Sequence, residues 1–154
     1  MNNKIRKILV AIDGSERSLK VADYAISQTR KENAELIILS IIEIEPWYHG
    51  KFPYEWGTLE KLDQVYIEDK TKRQHILDDI QKKAKENGIQ SSTDIVLSPI
   101  TVSKSAVIAD YAKNKQVDLI IVGTKRRSSF AKFFLGDVKA NTYSQTNCPV
   151  LVVK

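Results

Sequence analysis

A basic segment between two glycines carries most of the chemically versatile side chains of this sequence. The segment VGTKRRSSFAKFFLGDVKAN, residues 122–141, leaves an apolar run at Gly123 and reaches a second glycine at Gly136, followed by the carboxylate of Asp137. Three consecutive cations stand between the glycines: Lys125, Arg126 and Arg127. Glycine lets a backbone approach an anion closely, and arginine suits bidentate phosphate contacts. The segment is therefore either a phosphate-binding loop, a solvated basic loop or a contact for nucleic acid.

Length and composition narrow the class of protein. The chain has 154 residues, of which 42% are hydrophobic, and this suits a single domain, residues 1–154, with one core. Its 24 basic and 19 acidic residues are interspersed, so the net charge of +5 does not favour nucleic acid as a partner. A lone cysteine, Cys148, excludes an internal disulfide, and no apolar run approaches the roughly 18 residues that span a membrane. The first apolar run stops at Asp13 without a cleavage site, so we expect a cytoplasmic protein.

Short apolar runs alternate with amphipathic segments along the chain. The runs predict strands at residues 7–14, 34–44, 90–98, 117–123 and 149–154. The amphipathic segments predict helices at residues 15–32, 66–88, 103–115 and 136–145. This alternation predicts an α/β fold, a doubly wound five-stranded parallel sheet in the order 3-2-1-4-5, with helices on both faces.

Helical spacing identifies the faces expected to be buried. In the first helix the predicted face consists of Leu19, Ala22, Ala25 and Ile26. In the third helix it consists of Val107, Ile108, Tyr111 and Ala112. The second helix is predicted to end at Gly88.

The predicted sheet places the ends of two strands at one crevice. In open sheets of this kind, ligands bind beyond the carboxyl ends of the strands where the winding reverses. The first strand ends at Asp13-Gly14-Ser15 and the fourth at Gly123. Asp13 is predicted either to contact a nucleoside or to cap the following helix together with Ser15, and both roles are compatible. Neither the dinucleotide fingerprint nor the P-loop pattern occurs, so a phosphate would need another loop.

The sequence resembles the universal stress protein family over its whole length. Members begin with a strand like KILVAIDGSERS and end with a strand like CPVLVVK, as residues 7–18 and 148–154 do here. The family's nucleotide loop has the pattern G-2x-G-9x-G-[ST]. Gly123 and Gly136 match its first and last glycines, whereas Arg126 replaces the middle glycine and Asp137 replaces the closing Ser or Thr.

This resemblance implies a binding site for an adenine nucleotide. It assigns Asp13 to the nucleoside, Ala11 and Ile41 to the adenine pocket, partly through their backbone, and the N–H of Val138 to the helix start. In ATP-binding members, backbone N–H groups of the loop wrap the phosphates. The resemblance thus implies ATP or AMP as ligand, with Mg²⁺ only alongside a triphosphate, although a chain with this altered loop could also hold no nucleotide.

The two replacements change the expected strength of phosphate binding. Arg126 in place of glycine costs roughly 1 kcal/mol if the backbone needs a positive φ. The charge of Asp137, about 4 Å from a phosphate charge, costs on the order of 4 kcal/mol at an effective dielectric of about 20. The cations that could offset this carboxylate are Lys125, Arg126, Arg127 and Lys139. We expect weak or no ATP binding, and a smaller penalty for another anionic ligand.

An aromatic segment, residues 45–62, separates the second predicted strand from its helix. It is predicted to be a surface loop insertion, because it is rich in aromatics, proline and glycine. Its aromatic residues are Trp47, Tyr48, Phe52, Tyr54 and Trp56. They could stack on a base, but side chains this dense more often close a local core or an interface.

The sequence offers no recognisable catalytic apparatus. It contains no paired carboxylates or Ser-His pair in the crevice, and His49 and His75 lack the spacing of metal ligands, so we predict no catalytic residue and no metal. The favoured function is a non-catalytic, nucleotide-responsive regulator. The alternatives are a stress protein with slow ATPase activity and a nucleotide-free interaction module.

The last predicted strand has an unprotected edge. Residues Val150–Val153 form an apolar run, and the charges or prolines that usually blunt an edge strand are missing from it. A two-fold axis would pair this strand with its copy and satisfy its free N–H and C=O groups. The resembling family commonly dimerises through this strand, so we predict a homodimer; the identity of any protein partner stays open.

Overall fold

The apolar runs of the sequence form one parallel sheet. In the computed structural model, which describes residues 4–44, 56–123 and 147–154, the strands are β1 Lys7–Ala11, β2 Glu35–Ile44, β3 Ser91–Pro99, β4 Leu119–Gly123 and β5 Val150–Val153. They lie in the order β3-β2-β1-β4-β5, and every pair of neighbours is parallel. The predicted strand number, order and direction are confirmed.

Three described helices cover the two faces of this sheet. They are α1 Glu16–Glu32, α2 Trp56–Glu86 and α3 Lys104–Asn114. Helices α1 and α2 pack on one face and α3 on the other, so helices cover both faces as predicted. The predicted helix at residues 136–145 lies outside the described residues. Within the described part of the chain, no helix combines the length and apolarity needed to cross a membrane.

The core forms on both sides of the central strand β1. Ile8 and Val10 contact the α1 and α2 side, whereas Leu9 contacts the α3 side, and all three are fully buried. Successive residues of a strand point to opposite faces, so a strand covered by helices on both faces is apolar at every position. Each such side chain contributes about 1.5–3 kcal/mol when it is removed from water.

The prediction that Leu19 belongs to the buried face of α1 is wrong. Leu19 is 43% exposed, while Val21, Ala22 and Ala25 are buried against the sheet. The stripe facing the sheet starts at Ser18, one position earlier. The Ser18 hydroxyl donates to the carbonyl of Ser15 at 2.7 Å, and this hydrogen bond makes its burial tolerable. In α3, Ile108 and Ala112 are buried and Val107 and Tyr111 are half-buried, as predicted.

The second helix begins earlier than the sequence indicated. It starts at Trp56 instead of residue 66, so residues 56–62 of the predicted loop insertion are helical. Leu, Glu, Lys and Gln within TLEKLDQ favour a helix, and they outweigh the loop signal of the neighbouring aromatics and glycine. Residues 45–55, with the aromatic side chains from Trp47 to Tyr54, lie outside the described residues. The helix ends at Glu86, and Gly88 follows with φ of 73° and an N–H bond to the Lys85 carbonyl, as a terminating glycine does.

Helix α3 is attached to strand β3 by a polar contact. The Tyr111 hydroxyl donates to the Asp94 carboxylate at 2.8 Å. Burial, together with this carboxylate, raises the pKa of Tyr111 above its usual value, so the hydroxyl keeps its proton in more alkaline solution than a free tyrosine does.

Candidate functional site

A crevice opens at the carboxyl ends of the central strands. One side is formed by the end of β1 and the turn into α1, and the other side by β2, β4 and the first turns of α3. Four residues that the family resemblance assigned to a ligand all line this crevice: Ala11, Asp13, Ile41 and Gly123. The fold therefore brings them together, and their role in binding stays a prediction.

The other residues assigned to the ligand lie outside the described part of the chain. They are Lys125, Arg126, Arg127, Gly136, Asp137, Val138 and Lys139. Among residues 4–44, 56–123 and 147–154, no group of three His, Cys, Asp or Glu side chains could hold a metal ion.

The Asp13-Gly14-Ser15 turn joins β1 to α1. The Asp13 carboxylate accepts a hydrogen bond from the Ser15 N–H at 2.9 Å, and the Ser15 hydroxyl caps α1 by accepting from the Ser18 N–H at 3.2 Å. Gly14 has a φ of 88°, which a side chain would strain. The capping role is thus present, and Asp13 also lines the crevice.

Gly123 has a packing role that the sequence did not indicate. A Cβ atom on this residue would lie 2.7 Å from the Cγ2 atom of Val21 on α1. Helix α1 can therefore approach β4 closely only because residue 123 has no side chain. This requirement is independent of any anion and is sufficient to explain the glycine.

The interior of the crevice is apolar. Its aliphatic walls come from β1, β2, α3 and β4, namely Ala11, Leu39, Ile41, Ile108 and Val122. These side chains are held by the same core that buries Leu9 and Ile120. Apolar walls beside a carboxylate suit a ligand with one flat or aliphatic part and one polar part.

A hydrogen-bonded network lies behind the crevice, and the sequence did not reveal it. The Arg73 guanidinium on α2 donates to the Ser40 hydroxyl at 2.7 Å and to the Ile41 carbonyl at 3.3 Å. The buried Ser40 hydroxyl donates in turn to the Ile12 carbonyl at 2.8 Å. Strands β1 and β2 pair only as far as Ala11. Just beyond that point, the hydrogen bonds of Arg73 connect α2 to β2. A serine within the apolar run LIILSII of β2 was the one available sequence signal.

We expect Arg73→Met to weaken this end of the sheet. The buried Ser40 hydroxyl would lose its donor, and bonds to charged groups contribute about 1.5–3 kcal/mol. The free energy of unfolding in urea should therefore fall by about 1.5–3 kcal/mol. Lys83→Met is the matched control, because Lys83 lies on the same helix in an exposed ion pair with Asp23, for which a change below about 1 kcal/mol is expected. Equal stability of the two variants would contradict this role for Arg73.

An ion pair borders the crevice between β2 and α3. Lys104, the first residue of α3, places its ammonium 3.0 Å from the Glu43 carboxylate, and both side chains are about one third exposed. The start of the helix is set by Ser103, whose hydroxyl accepts from the Ala106 N–H at 3.2 Å. Lys104 lines the crevice next to Ile108. Two charged residues that lie far apart in the sequence give no indication that they form an ion pair. The sequence therefore did not identify the pair of Lys104 and Glu43.

Two proteins named as universal stress proteins resemble this chain over nearly its full length. A universal stress protein of Methanocaldococcus jannaschii is 30% identical across 99% of this chain and 84% of its own length. Universal stress protein YxiE of Bacillus subtilis is 32% identical across 96% of this chain and 98% of its own.

Solved structures share the fold. A universal stress protein family member from Burkholderia pseudomallei superimposes with a TM-score of 0.73 at 20% identity, over 99% of this chain and 98% of its own. A universal stress protein from Archaeoglobus fulgidus in complex with dAMP gives 0.64 at 18% identity, over 98% and 99%. Another, in complex with cAMP, gives 0.60 at 24% identity, over 98% of both chains. The model described as the universal stress protein family matches residues 4–154, and the chain therefore belongs to the universal stress protein family.

Proposed function

We propose that this protein is a non-catalytic regulator that binds an adenine nucleotide in the crevice at the carboxyl ends of β1 and β4. The observation that carries the proposal is the convergence of Ala11, Asp13, Ile41 and Gly123 on one crevice with apolar walls. A base can lie against the aliphatic side chains, and a ribose hydroxyl can donate to the Asp13 carboxylate. Family members in complex with cAMP and dAMP support adenine as the base.

The proposed ligand is a monophosphate in preference to ATP. The resemblance to the family loop assigns Gly136 and the N–H of Val138 to the phosphate end of the ligand. Asp137 would add a negative charge at this same end. Neighbouring cations can offset the negative charge of one phosphate group more readily than that of three phosphate groups. Lys125, Arg126, Arg127 and Lys139 are the proposed candidates. Magnesium has a role only if a triphosphate binds.

Mass spectrometry of the purified protein under non-denaturing conditions tests this function. We expect a mass increase equal to an adenine nucleotide, and calorimetry of the ligand-free protein should then give tighter binding for AMP than for ATP. If neither nucleotide binds at millimolar concentration, the crevice does not serve a nucleotide. The remaining alternative would then be a nucleotide-free interaction module, which the replacements at Arg126 and Asp137 favour.

We further propose that the regulator acts as a homodimer through β5. This strand lies at the edge of the sheet beside β4, and each of its residues Val150–Val153 is only partly buried. Pairing with a second copy would extend the sheet beyond its edge strand and cover the partly exposed apolar side chains of β5. The ends of β4 and β5 are adjacent, since Gly123 is in register with Val153, so occupancy of the crevice can influence the interface.

Val152→Lys should disrupt this dimer. A lysine on the edge strand would bring like charges together across the two-fold axis, which disfavours edge pairing. Sedimentation should show a monomer or a loss of solubility. Ser92→Lys, an exposed position on the opposite edge strand β3, should leave the dimer intact. A Val152→Lys protein that remains a stable dimer would place the interface elsewhere, with residues 47–56 as the next candidate.

A further inference from the structure

Strands β1 and β2 separate at the edge of the crevice. Beyond the paired residues, the Ile12 N–H donates to the Leu39 carbonyl at 2.8 Å, and the chain after Ile12 turns toward α1, whereas β2 continues along β3 as far as Ile44. The Ile41 carbonyl, two residues beyond Leu39, points to the same side of β2, because carbonyl directions alternate along a strand. This carbonyl therefore lies beside the gap that opens between the two strands.

The Arg73 side chain of α2 bridges this gap. Its Nη1 atom donates to the Ile41 carbonyl at 3.3 Å and to the Ser40 hydroxyl at 2.7 Å. The Ser40 hydroxyl passes the connection on, since it donates to the Ile12 carbonyl at 2.8 Å. Ser40 is 1% exposed, so water cannot replace a partner that this hydroxyl loses. One guanidinium thus connects the ends of both strands.

The same arginine lies next to the turn that carries Asp13. A Cβ atom on Gly14 would lie 3.8 Å from the Cδ and Nε atoms of Arg73, so the turn passes close to this side chain. The Asp69 carboxylate, one helical turn earlier on α2, lies 3.8 Å from the Arg73 Nε atom. Contacts on several sides restrict the guanidinium to one position, which is what a supporting side chain requires.

Asp13 and Ile41 are two of the proposed ligand residues, and they lie on the two sides of the gap. Asp13 follows Ile12 directly, so the peptide group whose oxygen accepts from Ser40 also contains the Asp13 nitrogen atom. Asp13 and Ile41 line the crevice, whereas the chain of bonds that connects them runs behind it. We infer that Arg73, acting through Ser40, is a positioning residue that fixes Asp13 relative to Ile41 for the ligand, an inference that rests on the proposed function.

Calorimetry with AMP tests this positioning role. Arg73→Met removes the bonds to Ser40 and Ile41, and AMP binding should weaken by about 2- to 30-fold, the range for residues that act on a ligand without touching it. Ser40→Ala removes the link to Ile12 and should weaken AMP binding within the same range. Because both residues act in one chain of bonds, the double variant should lose much less affinity than the product of the single losses. Arg73→Lys keeps a donor for Ser40 and should restore part of the affinity.

Asp13 provides a readout that a loss of stability alone would not change. Asp13→Asn should weaken AMP binding by a smaller factor in the Arg73→Met background than in the wild type, because the carboxylate is then no longer held at the ligand. Ile80→Val is the matched control: it removes a methyl group from the buried core two turns further along α2 and should keep the wild-type affinity. Thermal unfolding identifies any variant that is unfolded, and Ser40→Ala with Arg73→Lys then decides the result.

Three results would overturn the positioning role while the wild type still binds AMP and the proposed function stands. The first is wild-type affinity in both Arg73→Met and Ser40→Ala. The second is a double variant whose loss equals the product of the single losses. The third is an equal loss of affinity in Ile80→Val. If the wild type binds neither AMP nor ATP, the proposed function and the positioning role are overturned together.

Discussion

Gly123→Ala should lower the free energy of unfolding by about 1–3 kcal/mol, the usual cost of an additional methyl group in a packed core. The new Cβ atom would lie 2.7 Å from the Cγ2 atom of Val21, so the Val21 side chain, α1 or β4 must shift. Both elements contribute to the buried core around Ile121, which limits how far they can move. Denaturation in urea, followed by circular dichroism, measures the change.

The cause of this loss can be isolated with Val21→Ala. The smaller side chain removes the clash, so the double variant should be more stable than the sum of the two single effects predicts, by about 1 kcal/mol or more. Gly88→Ala is the matched control: its Cβ would meet no atom within 4 Å, and its cost of about 1 kcal/mol comes from the positive φ. It should show no coupling to Val21→Ala. Strictly additive effects for Gly123→Ala and Val21→Ala would refute the packing explanation.

Asp137→Ser combined with Arg126→Gly should tighten ATP binding by up to nearly three decades. The first change removes a carboxylate whose repulsion of a phosphate is on the order of 4 kcal/mol at an effective dielectric of about 20, and it restores a hydroxyl donor. The second restores a glycine that lets the backbone approach the phosphates. Calorimetry with ATP, with and without Mg²⁺, measures the gain.

The charge and the backbone contributions to ATP binding can be separated. Asp137→Asn removes the charge alone and should recover most of the gain if repulsion dominates. AMP should respond less than ATP to every one of these changes, because it places less charge near Asp137. Unchanged ATP affinity in the double variant would show that the two replacements do not weaken phosphate binding.

The sequence determined the features that arise from local patterns. Continuous apolar runs such as LIIVG require burial on both faces, and their alternation with helices leaves few parallel topologies, so the strand order followed. The turn at Asp13 and Ser15 was recognisable because capping depends on neighbouring residues. Its position at the end of the central strand then located the crevice.

The tertiary structure decided which distant side chains meet. Gly123 approaches Val21, Arg73 reaches Ser40 and Ile41, and Lys104 pairs with Glu43, yet none of these residues is near its partner in sequence. Even within α1, the buried stripe started at Ser18 instead of Leu19, since the sheet sets the angle at which the helix faces it. Periodicity encodes the type of an element, whereas contacts between elements depend on the rotation and separation at which their surfaces pack, and these are set by many side chains together.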